Sequence, residues 1–476
     1  MDTSRVLVLC FDPLTEAMPG PAIRAWHLAQ ELAGRHQIVL AGTAGATRQH
    51  PRFEVRSVTD ADLADLLGWC DAVFAPTSVV ARHPRVVDSG KPLAIDMYIP
   101  THLENLEPLG ASGADHWAAV DHQVSVLNRD LAEGDFFLCA SDRQRDFWLG
   151  ALGSLGRINP DTYAADPSLR TLVDVVPFGL DPNPPPAPSG VLRAAHPAIG
   201  PDDPVVIWGG GVYNWFDPIS LVRAVADLSG RRPDLRLVFL GMRHPNPGIP
   251  EMRMATSLRE LAAGLDLTGR HVFFNEGWVP YDQRGAYLAE ADLAVSTHLA
   301  HVETRFSFRT RVLDYIWAGL PMVLTEGDTL SEEVAAAGLG RTVPPGDPAA
   351  IARAIDELLA DPPERAAVQR FGAGYRWPAV AGPLLRWAGN PVPAADRPHR
   401  PAPPATGAPG DRSPRREAVP PAAAAPAPSA PPSGPPALPI GADLRRVAGR
   451  IGRGVVRRVG RQAGRPGAGR PRAGGG

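Results

Sequence analysis

The chain of 476 residues is 44% hydrophobic and carries a net charge of −3. This length exceeds one ordinary domain, and the apolar content is sufficient for two sizeable hydrophobic cores. The N-terminus lacks the pattern of a signal peptide, and no apolar run reaches the roughly 18 residues of a membrane-spanning helix. The three cysteines are far apart, without the spacing of a metal site or a disulfide framework. We therefore expect a cytoplasmic protein.

Short apolar runs alternate with longer helical patterns over about the first 385 residues, which is typical of βαβ units and parallel sheets. We assign residues 1–180 to an N-terminal α/β domain. Its predicted strands are 6–10, 37–41, 53–55, 72–75, 92–95, 136–140 and 173–177.

Residues 181–203 contain seven prolines, five of them within residues 182–188, which exclude a central strand or helix and predict a semi-rigid linker. A C-terminal α/β domain is predicted over residues 204–390. Its strands are 205–208, 235–240, 271–274, 293–296 and 322–325, and two helices at 351–359 and 377–387 complete it. Two domains of similar size joined by one linker leave a cleft between them.

The composition changes at Pro391, after which the chain has 15 arginines, four acidic residues and almost no aromatic residues. We expect residues 391–439 to be disordered, because they cannot bury enough apolar surface to order themselves. Residues 440–476 are basic, and a helical apolar stripe within 440–461 predicts binding to an anionic membrane surface from the cytoplasmic side. The alternative is a solvated basic tail without a dedicated partner.

One segment of the C-terminal domain predicts an anion site. Ser307 is a suitable N-cap for a helix predicted from about residue 308 to 318. The free amides of Arg309, Thr310 and Arg311 would then point out of the helix start, with the positive end of the helix dipole behind them.

Asp314 lies further along the same helix, at a rise of roughly 6 Å. That is about the step from a pyrophosphate to the ribose of the same nucleotide, and a carboxylate can accept hydrogen bonds from both ribose hydroxyl groups. Alternatively, Asp314 is an ordinary helix carboxylate that pairs with Arg311.

The run Asp314-Tyr-Ile-Trp-Ala-Gly-Leu-Pro-Met-Val resembles part of the Glu-x7-Glu region of the family 4 glycosyltransferases, with Asp314 in the place of the second Glu. Val173-Asp-Val-Val-Pro-Phe-Gly-Leu-Asp181 is similar to the domain junction of these enzymes. The likeness runs in collinear order over about residues 5–389.

Two further stretches carry the resemblance. Gly277-Trp-Val-Pro-Tyr281 is similar to the loop at the donor base, which assigns Val279 to donor binding. Gly20-Pro-Ala-Ile-Arg-Ala-Trp-His-Leu28 resembles the first loop and helix, so that Gly20 would face the donor phosphates across the cleft. A plain turn glycine is the alternative for Gly20.

The resemblance implies an α/β protein of the GT-B fold, with two facing Rossmann-like domains and a cleft between them. It implies a retaining, metal-independent transferase that takes a sugar from a nucleoside diphosphate and passes it to a glycan or a lipid-linked acceptor. No cofactor and no nucleic acid partner is expected. The alternative function is a non-catalytic GT-B-like scaffold that acts through its basic tail.

The charged residues depart from the family pattern. The family's first Glu would stand near Phe306, and the nearest acidic residue is Glu303, which becomes the candidate catalytic carboxylate if the loop is longer here. The alternative is that this contact to the donor sugar has been lost. Where the family has an Arg and a Lys after the first strand of the second domain, this chain has Gly209, Gly210 and Gly211. Glycine lets a phosphate approach the backbone closely but brings no charge.

Other cations must therefore neutralise the donor phosphates. The candidates are Arg243, just after the strand predicted at 235–240, and Arg309 or Arg311 at the helix start. The alternative for Arg243 is a solvated loop position.

On the acceptor side, Asp96, Tyr98 and His102 follow a strand whose carboxyl end should open into the cleft. The resemblance places a polar residue here near the reacting sugar carbon, and Asp96 and His102 are our candidate catalytic residues. Arg143 is similarly placed to contact the acceptor. All of these are alternatively ordinary loop residues. Asp60-Ala-Asp62 matches a metal motif of another transferase fold, but we expect it to cap a surface helix.

Overall fold

A computed structural model describes residues 3–16, 18–104, 106, 114–243 and 251–400. Its framework is a pair of parallel β-sheets. The strands of the first sheet are β1 (Arg5–Cys10), β2 (Gln37–Gly42), β3 (Glu54–Ser57), β4 (Ala72–Pro76), β5 (Leu93–Asp96), β6 (Phe136–Cys139) and β7 (Val173–Val175). Those of the second are β8 (Val205–Gly211), β9 (Arg236–Gly241), β10 (Val272–Phe274), β11 (Leu293–Ser296), β12 (Met322–Thr325) and β13 (Gly340–Val343).

Helices cover both sheets. Those up to the second sheet are α1 (Gly20–Leu32), α2 (Asp60–Trp69), α3 (Val79–Arg82), α4 (Arg85–Asp88), α5 (Thr101–Glu104), α6 (Ala114–Glu133), α7 (Asp142–Ser154), α8 (Pro160–Ala165) and α9 (Val191–Ala195). The later ones are α10 (Pro218–Ser229), α11 (Arg253–Gly264), α12 (Arg284–Ala289), α13 (Val302–Phe306), α14 (Thr310–Ala318), α15 (Thr329–Ala336), α16 (Pro348–Ala360), α17 (Arg365–Phe371), α18 (Trp377–Val380) and α19 (Gly382–Gly389).

The order of the strands is β3-β2-β1-β4-β5-β6-β7 in the first sheet and β10-β9-β8-β11-β12-β13 in the second. Both are Rossmann-like orders, with the first strand of each half near the centre and the order reversing beside it. The predicted α/β fold with two parallel sheets is therefore confirmed. All twelve predicted strands are present, and the sequence missed only β13. That strand is short and partly exposed, so it lacks the continuous apolar run of the central strands.

Two local predictions can be compared with the helices. The motif Asp60-Ala-Asp62 caps α2, because Thr59 Oγ1 accepts from the Asp62 amide and Asp62 Oδ2 accepts from the Thr59 amide. The capping interpretation is therefore confirmed. The proline-rich residues 181–203 include one short helix, α9, whose backbone amides at Leu192 and Arg193 donate to Glu290.

The last helices return from the second sheet to the first. Trp377 stacks on His27 of α1 with ring centroids 5.1 Å apart, and Trp387 stacks on Phe136 at 6.1 Å. Both tryptophans belong to a buried cluster that also contains strand residues of both sheets. Residues 377–389, which we assigned to the second domain by their order in the chain, therefore pack on the first sheet.

Residues 391–400 correct the predicted start of the disordered tail. Asp396 is fully buried and its Oδ2 lies 2.7 Å from Arg157 Nε, while Asn159 donates to the same carboxylate. The Ala394 amide donates to Asp135 Oδ1 at 2.9 Å. Composition alone cannot reveal such partners, because they lie more than 200 residues away in the chain. Residues 401–476, with the rest of the predicted tail and its basic segment, lie outside the described residues.

Within the described ranges, no helix is long and apolar enough to cross a membrane. The three cysteines are buried and unpaired.

The buried pair of Arg157 and Asp396 yields a test of how residues 391–400 are anchored. Replacing Asp396 by Ala leaves a charged, buried guanidinium without its carboxylate, so we expect the free energy of unfolding to fall by about 3–5 kcal/mol. Urea denaturation measures this. The exposed control Asp202→Ala should stay within about 0.5 kcal/mol of the wild type. If Asp396→Ala is as stable as this control, residues 391–400 are not docked as described.

Candidate functional site

A cavity lies at the carboxyl ends of β1, β8 and β9, the edge where parallel sheets place ligands. We call it the donor cavity. It is lined by Met18, Gly20, Ile23, Phe178, Gly209, Gly210, Leu240, Gly241, Trp278, Val279, Tyr281, Arg284, Leu288, Thr310 and Asp314. Both halves of the chain contribute, so the cavity lies between the two sheets. It contains six of the thirteen predicted site residues: Gly20, Gly209, Gly210, Val279, Thr310 and Asp314.

Asp314 opens onto the donor cavity, with a side chain 35% exposed. Its partner is Arg284, whose Nε donates to Asp314 Oδ1 at 3.0 Å, and not Arg311 as the alternative interpretation required. Burial raises the pKa of Asp314, and the nearby Arg284 opposes this rise. The position fits a carboxylate that faces a ligand.

Tyr315, the next residue, anchors α14 to the second sheet. Its fully buried hydroxyl group accepts a hydrogen bond from the Gly209 amide at 2.9 Å and donates to the Val295 carbonyl at 3.0 Å. A Cβ atom on Gly209 would lie 2.8 Å from the Tyr315 ring, so only glycine fits there. The Gly209 amide is consequently not available to a phosphate, which corrects the prediction for this glycine.

The two other glycines have different surroundings. Gly210 lines the donor cavity and has a φ of +95°, which favours glycine. Gly211 lies outside the cavity lining, and its carbonyl accepts from Arg311 Nη2 at 2.8 Å.

Helix α14 begins two residues later than predicted. Ser307 ends the preceding helix α13 and donates to the Thr304 carbonyl, so it cannot cap α14. The N-cap is Arg309, without a side-chain capping bond, and Thr310 is the first helical residue. Thr310 lines the donor cavity, which brings the uncapped helix start and its dipole to the ligand space.

Arg309 and Glu303 lie behind the donor cavity rather than in its lining. They are 6% and 1% exposed, and Arg309 Nη2 lies 2.5 Å from Glu303 Oε2. Glu303 Oε1 and Arg309 Nε have no hydrogen-bond partner among the described residues. Burial, reinforced by the charge of the nearby Glu303, raises the pKa of Glu104 of α5 to about 7.

Arg311 lies directly beside the glycine turn. Its guanidinium stacks over Phe216 at 4.1 Å and Trp208 at 4.9 Å, and a methyl group on Gly210 would lie 3.9 Å from its Nη2. Arg311 Nη1 is buried without a hydrogen-bond partner among the described residues. Arg311 is therefore a cation close to the cavity wall that has an unpartnered hydrogen-bond donor, Nη1.

Arg243 is exposed and borders a neighbouring pocket, not the donor cavity. It is the least favourably placed of the predicted cations. Arg284 is the arginine in the lining, and the sequence analysis missed it. One signal was present: Arg284 is the only arginine or lysine between Arg270 and Arg305, and it follows the predicted donor-base loop by three residues.

A second cavity, the acceptor cavity, lies at the carboxyl ends of β1, β4 and β5. It is lined by Leu9, Cys10, Phe11, Asp12, Pro21, Ala25, Phe74, Pro76, Thr77, Ser78, Arg82, Asp96, Tyr98, Ile99, Thr101 and Gln123. Gly20 lies on the boundary between the two cavities, because a Cβ atom there would be 3.4 Å from Tyr98 Oη. Tyr98 therefore stands where the two ligand spaces approach each other.

The structure does not leave Asp96 and His102, the two catalytic candidates of the first sheet, free in the acceptor cavity. Asp96 lines the acceptor cavity, but its carboxylate is held by Arg24 at 2.6 Å and 3.0 Å. Arg24 is fully buried and also donates to the carbonyls of Val176 and Pro177. Asp96 thus serves to neutralise a buried guanidinium.

His102 lies in neither cavity. It lines a separate pocket, stacked on Phe147 at 5.5 Å, and burial lowers its pKa. Arg143 donates to the Gly327 carbonyl at 2.9 Å and pairs with Glu332 of α15. It therefore links the two halves of the chain instead of standing free in the acceptor cavity.

Within the described part of the chain, no group of three or more His, Cys, Asp or Glu side chains is arranged to hold a metal ion.

The comparisons with known proteins agree with this geometry. Residues 203–361 match the family model described as "Glycosyl transferases group 1". That range contains the glycine turn, the loop at Trp278 and Val279, and α14. No curated protein sequence matches the chain.

Among solved structures, the chain is similar to sucrose-phosphate synthase of Thermosynechococcus elongatus at 15% identity and a TM-score of 0.57, over 80% of this chain and 98% of that one. It is similar to HepE of Anabaena in complex with UDP and glucose at 16% identity and a TM-score of 0.60, over 81% and 100% of the two chains. WaaG, a glycosyltransferase involved in lipopolysaccharide biosynthesis, matches at 14% identity and a TM-score of 0.55, over 81% and 100%. At these identities the similarity shows the shared GT-B fold.

The two facing sheets and the family match over the second of them agree with the residues from which the resemblance was drawn. Residues 203–361 thus match the group 1 glycosyltransferases, and the two sheets share the fold of solved glycosyltransferases such as WaaG.

Proposed function

We propose that the chain transfers a sugar from a nucleoside diphosphate sugar, held in the donor cavity, to an acceptor hydroxyl group presented from the acceptor cavity. The observation that carries this proposal is the position of Asp314. Its carboxylate opens onto the same cavity as the uncapped start of α14 at Thr310 and the bare backbone of Gly210. One helix thereby offers an anion site and, about one turn deeper, a carboxylate for a ribose.

The donor phosphates are assigned to Gly210 and Thr310. The positive end of the α14 dipole favours negative charge there, and Gly210 lets an oxygen approach the main chain. Arg311 supplies the charge that the family pattern places elsewhere, since its guanidinium is beside Gly210 and has an unpartnered Nη1. Charge developing on the departing diphosphate is thus met by dipoles and a cation already in position.

The acceptor hydroxyl group is assigned to the neighbourhood of Tyr98. Asp96 is neutralised by Arg24 and His102 lies in another pocket, so neither retains the catalytic role that the sequence suggested. Burial raises the pKa of Tyr98 well above its usual value, so its hydroxyl group keeps its proton and can donate a hydrogen bond. At the boundary of the two cavities, it can orient the acceptor or the transferred sugar.

Retention of the anomeric configuration and the absence of a metal requirement are proposed from the resemblance to family 4. UDP is the first nucleotide to test, because HepE of Anabaena is similar in fold and was solved with UDP and glucose. The proposed acceptor is a glycan or a lipid-linked sugar. The basic residues 440–461 would hold the enzyme at an anionic membrane surface on the cytoplasmic side, close to a lipid-linked acceptor.

The donor assignment predicts that Asp314→Ala weakens binding of the nucleoside diphosphate. Losing a charged hydrogen-bond acceptor costs about 1.5–3 kcal/mol, or roughly 10–150-fold in Kd. Isothermal titration with UDP, GDP and dTDP measures it. Asp227→Ala is the control, because Asp227 is an exposed carboxylate on helix α10, in the same half of the chain as Asp314. Equal affinities for Asp314→Ala and the control would remove the main support for this donor site.

The acceptor assignment predicts that Tyr98→Phe lowers the turnover number by at least about tenfold, while the Kd for the nucleoside diphosphate stays within about twofold. The physical reason is that the phenol contacts the reacting groups rather than the nucleotide. Release of nucleoside diphosphate from the nucleotide sugar, with and without saccharide acceptors, measures the turnover. Tyr163→Phe is the matched control, since Tyr163 is 59% exposed. An unchanged turnover would show that Tyr98 only fills space.

A further inference from the structure

Arg284 is the only Arg, Lys or His among the described residues that line the donor cavity. It begins α12, directly after the loop at Val279, and its side chain is 13% exposed. A cation in this position has two conceivable tasks in donor binding. It contacts the phosphates itself, or it acts through another residue that contacts the nucleotide.

Every nitrogen of the Arg284 guanidinium faces a protein group. Nε donates to Asp314 Oδ1 at 3.0 Å, Nη1 donates to the Tyr281 carbonyl at 2.8 Å, and Nη2 lies 3.7 Å from Asp181 Oδ2. The guanidinium also stacks on the Tyr281 ring, 3.5 Å from its centroid. A cation held in this way is fixed in orientation and has little freedom to turn toward a phosphate.

The bond to Arg284 uses one oxygen of Asp314. Oδ1 accepts from Arg284 Nε, and Oδ2 has no hydrogen bond among the described residues. Since the side chain opens onto the donor cavity, Oδ2 is the oxygen that remains for a ligand. Fixing Oδ1 also fixes the rotation of the carboxylate, and therefore the direction in which Oδ2 presents its lone pairs.

The charged surroundings of Asp314 make this partner necessary. Arg284 on α12, Asp181 at the junction between the sheets and Arg311 on α14 face the carboxylate, and the phenols of Tyr281 and Tyr315 lie nearby. Burial and Asp181 raise the pKa of Asp314, whereas Arg284, more than Arg311, lowers it. Without Arg284 the carboxylate would take up a proton at a higher pH.

We propose that Arg284 is a positioning residue that orients the Asp314 carboxylate for the ribose of the donor and does not contact the donor phosphates. This rests on the proposed function of the donor cavity. It extends that function to specificity, because an oriented carboxylate distinguishes a ribose diol from a sugar that lacks one of the two hydroxyl groups.

The experiment compares Kd values for UDP, GDP and ADP with those for their 2′-deoxy counterparts and for the parent nucleosides. The variants are Arg284→Gln, Arg284→Lys, Asp314→Asn and the double variant Arg284→Gln with Asp314→Asn. Arg341→Gln is the matched control, because Arg341 pairs with Glu357 at the surface of the same sheet. Circular dichroism and thermal melting establish that each variant is folded.

The wild type should prefer the ribonucleotide over the 2′-deoxy nucleotide by about tenfold, the equivalent of one hydrogen bond. Arg284→Gln should bring this preference close to one, Arg284→Lys should restore part of it, and the double variant should bind like Asp314→Asn alone. The ratio of the Kd for the nucleoside to the Kd for the nucleoside diphosphate should be the same in Arg284→Gln as in the wild type.

The affinity of the variant should also acquire a pH dependence. In Arg284→Gln, ribonucleotide binding should weaken as the pH falls, at a pH where the wild type still binds fully, because the variant carboxylate has the higher pKa. Arg341→Gln should follow the wild type. If Arg284→Gln does not fold, Arg284→Lys and the pH profile of Asp314→Asn, which should be flat, provide the same comparison.

Three results overturn the proposal or its basis. Equal losses for ribose and deoxyribose ligands, with an unchanged pH profile, would show that Arg284 only supports the fold. A loss of the preference for the diphosphate over the nucleoside would make Arg284 a phosphate ligand instead. Absence of binding of UDP, GDP, ADP and dTDP to the wild type would overturn the donor cavity itself, and with it the role of Arg284.

Discussion

The buried hydroxyl group of Tyr315 fixes helix α14, which lines the donor cavity, against the second sheet. It accepts from the Gly209 amide at the end of β8 and donates to the Val295 carbonyl in β11, so α14 is joined to two neighbouring strands. Tyr315 faces the sheet, and Asp314, which precedes it and is turned by about 100° around the helix axis, opens onto the donor cavity. The same contact sets the distance between the start of α14 and the glycine turn, which together form the proposed anion site.

The positively charged side chains near the donor cavity lie on helices that are distant in the sequence from the glycine turn at 209–211. The glycine turn has no side chains, so the cation beside it is Arg311 at the start of α14, while Arg284 at the start of α12 pairs with Asp314. Neither is surrounded by water alone: aromatic rings lie against both guanidinium groups, and Arg284 is also bound by carboxylates. A cation in such partly desolvated surroundings acts on a ligand more strongly than one on the surface.

The fold of both halves was predictable because each central strand is buried on both faces and so appears as an uninterrupted apolar run. Residues such as Val6 to Leu9 and Val205 to Trp208 are buried in the sheets, and their apolar character does not depend on the order in which the strands are arranged. The edge strand β13 and residues 391–400 were not predicted as ordered, because neither has an uninterrupted apolar run. Residues 391–400 are ordered by partners such as Asp135 and Arg157, and β13 is ordered by its pairing with β12; local composition reveals neither.

The sequence by itself determined the α/β class, the two series of parallel strands and the candidate helix start with its carboxylate, since these depend on local patterns. Only the tertiary structure decided which polar groups remain free. It paired Asp96 with Arg24 and Glu303 with Arg309, and it placed Arg284 beside Asp314 and Tyr98 beside Gly20. The sequence shows a charged residue in the same way whether its partner in the folded protein is a ligand or another side chain. The difference arises from which elements the fold brings within hydrogen-bonding distance.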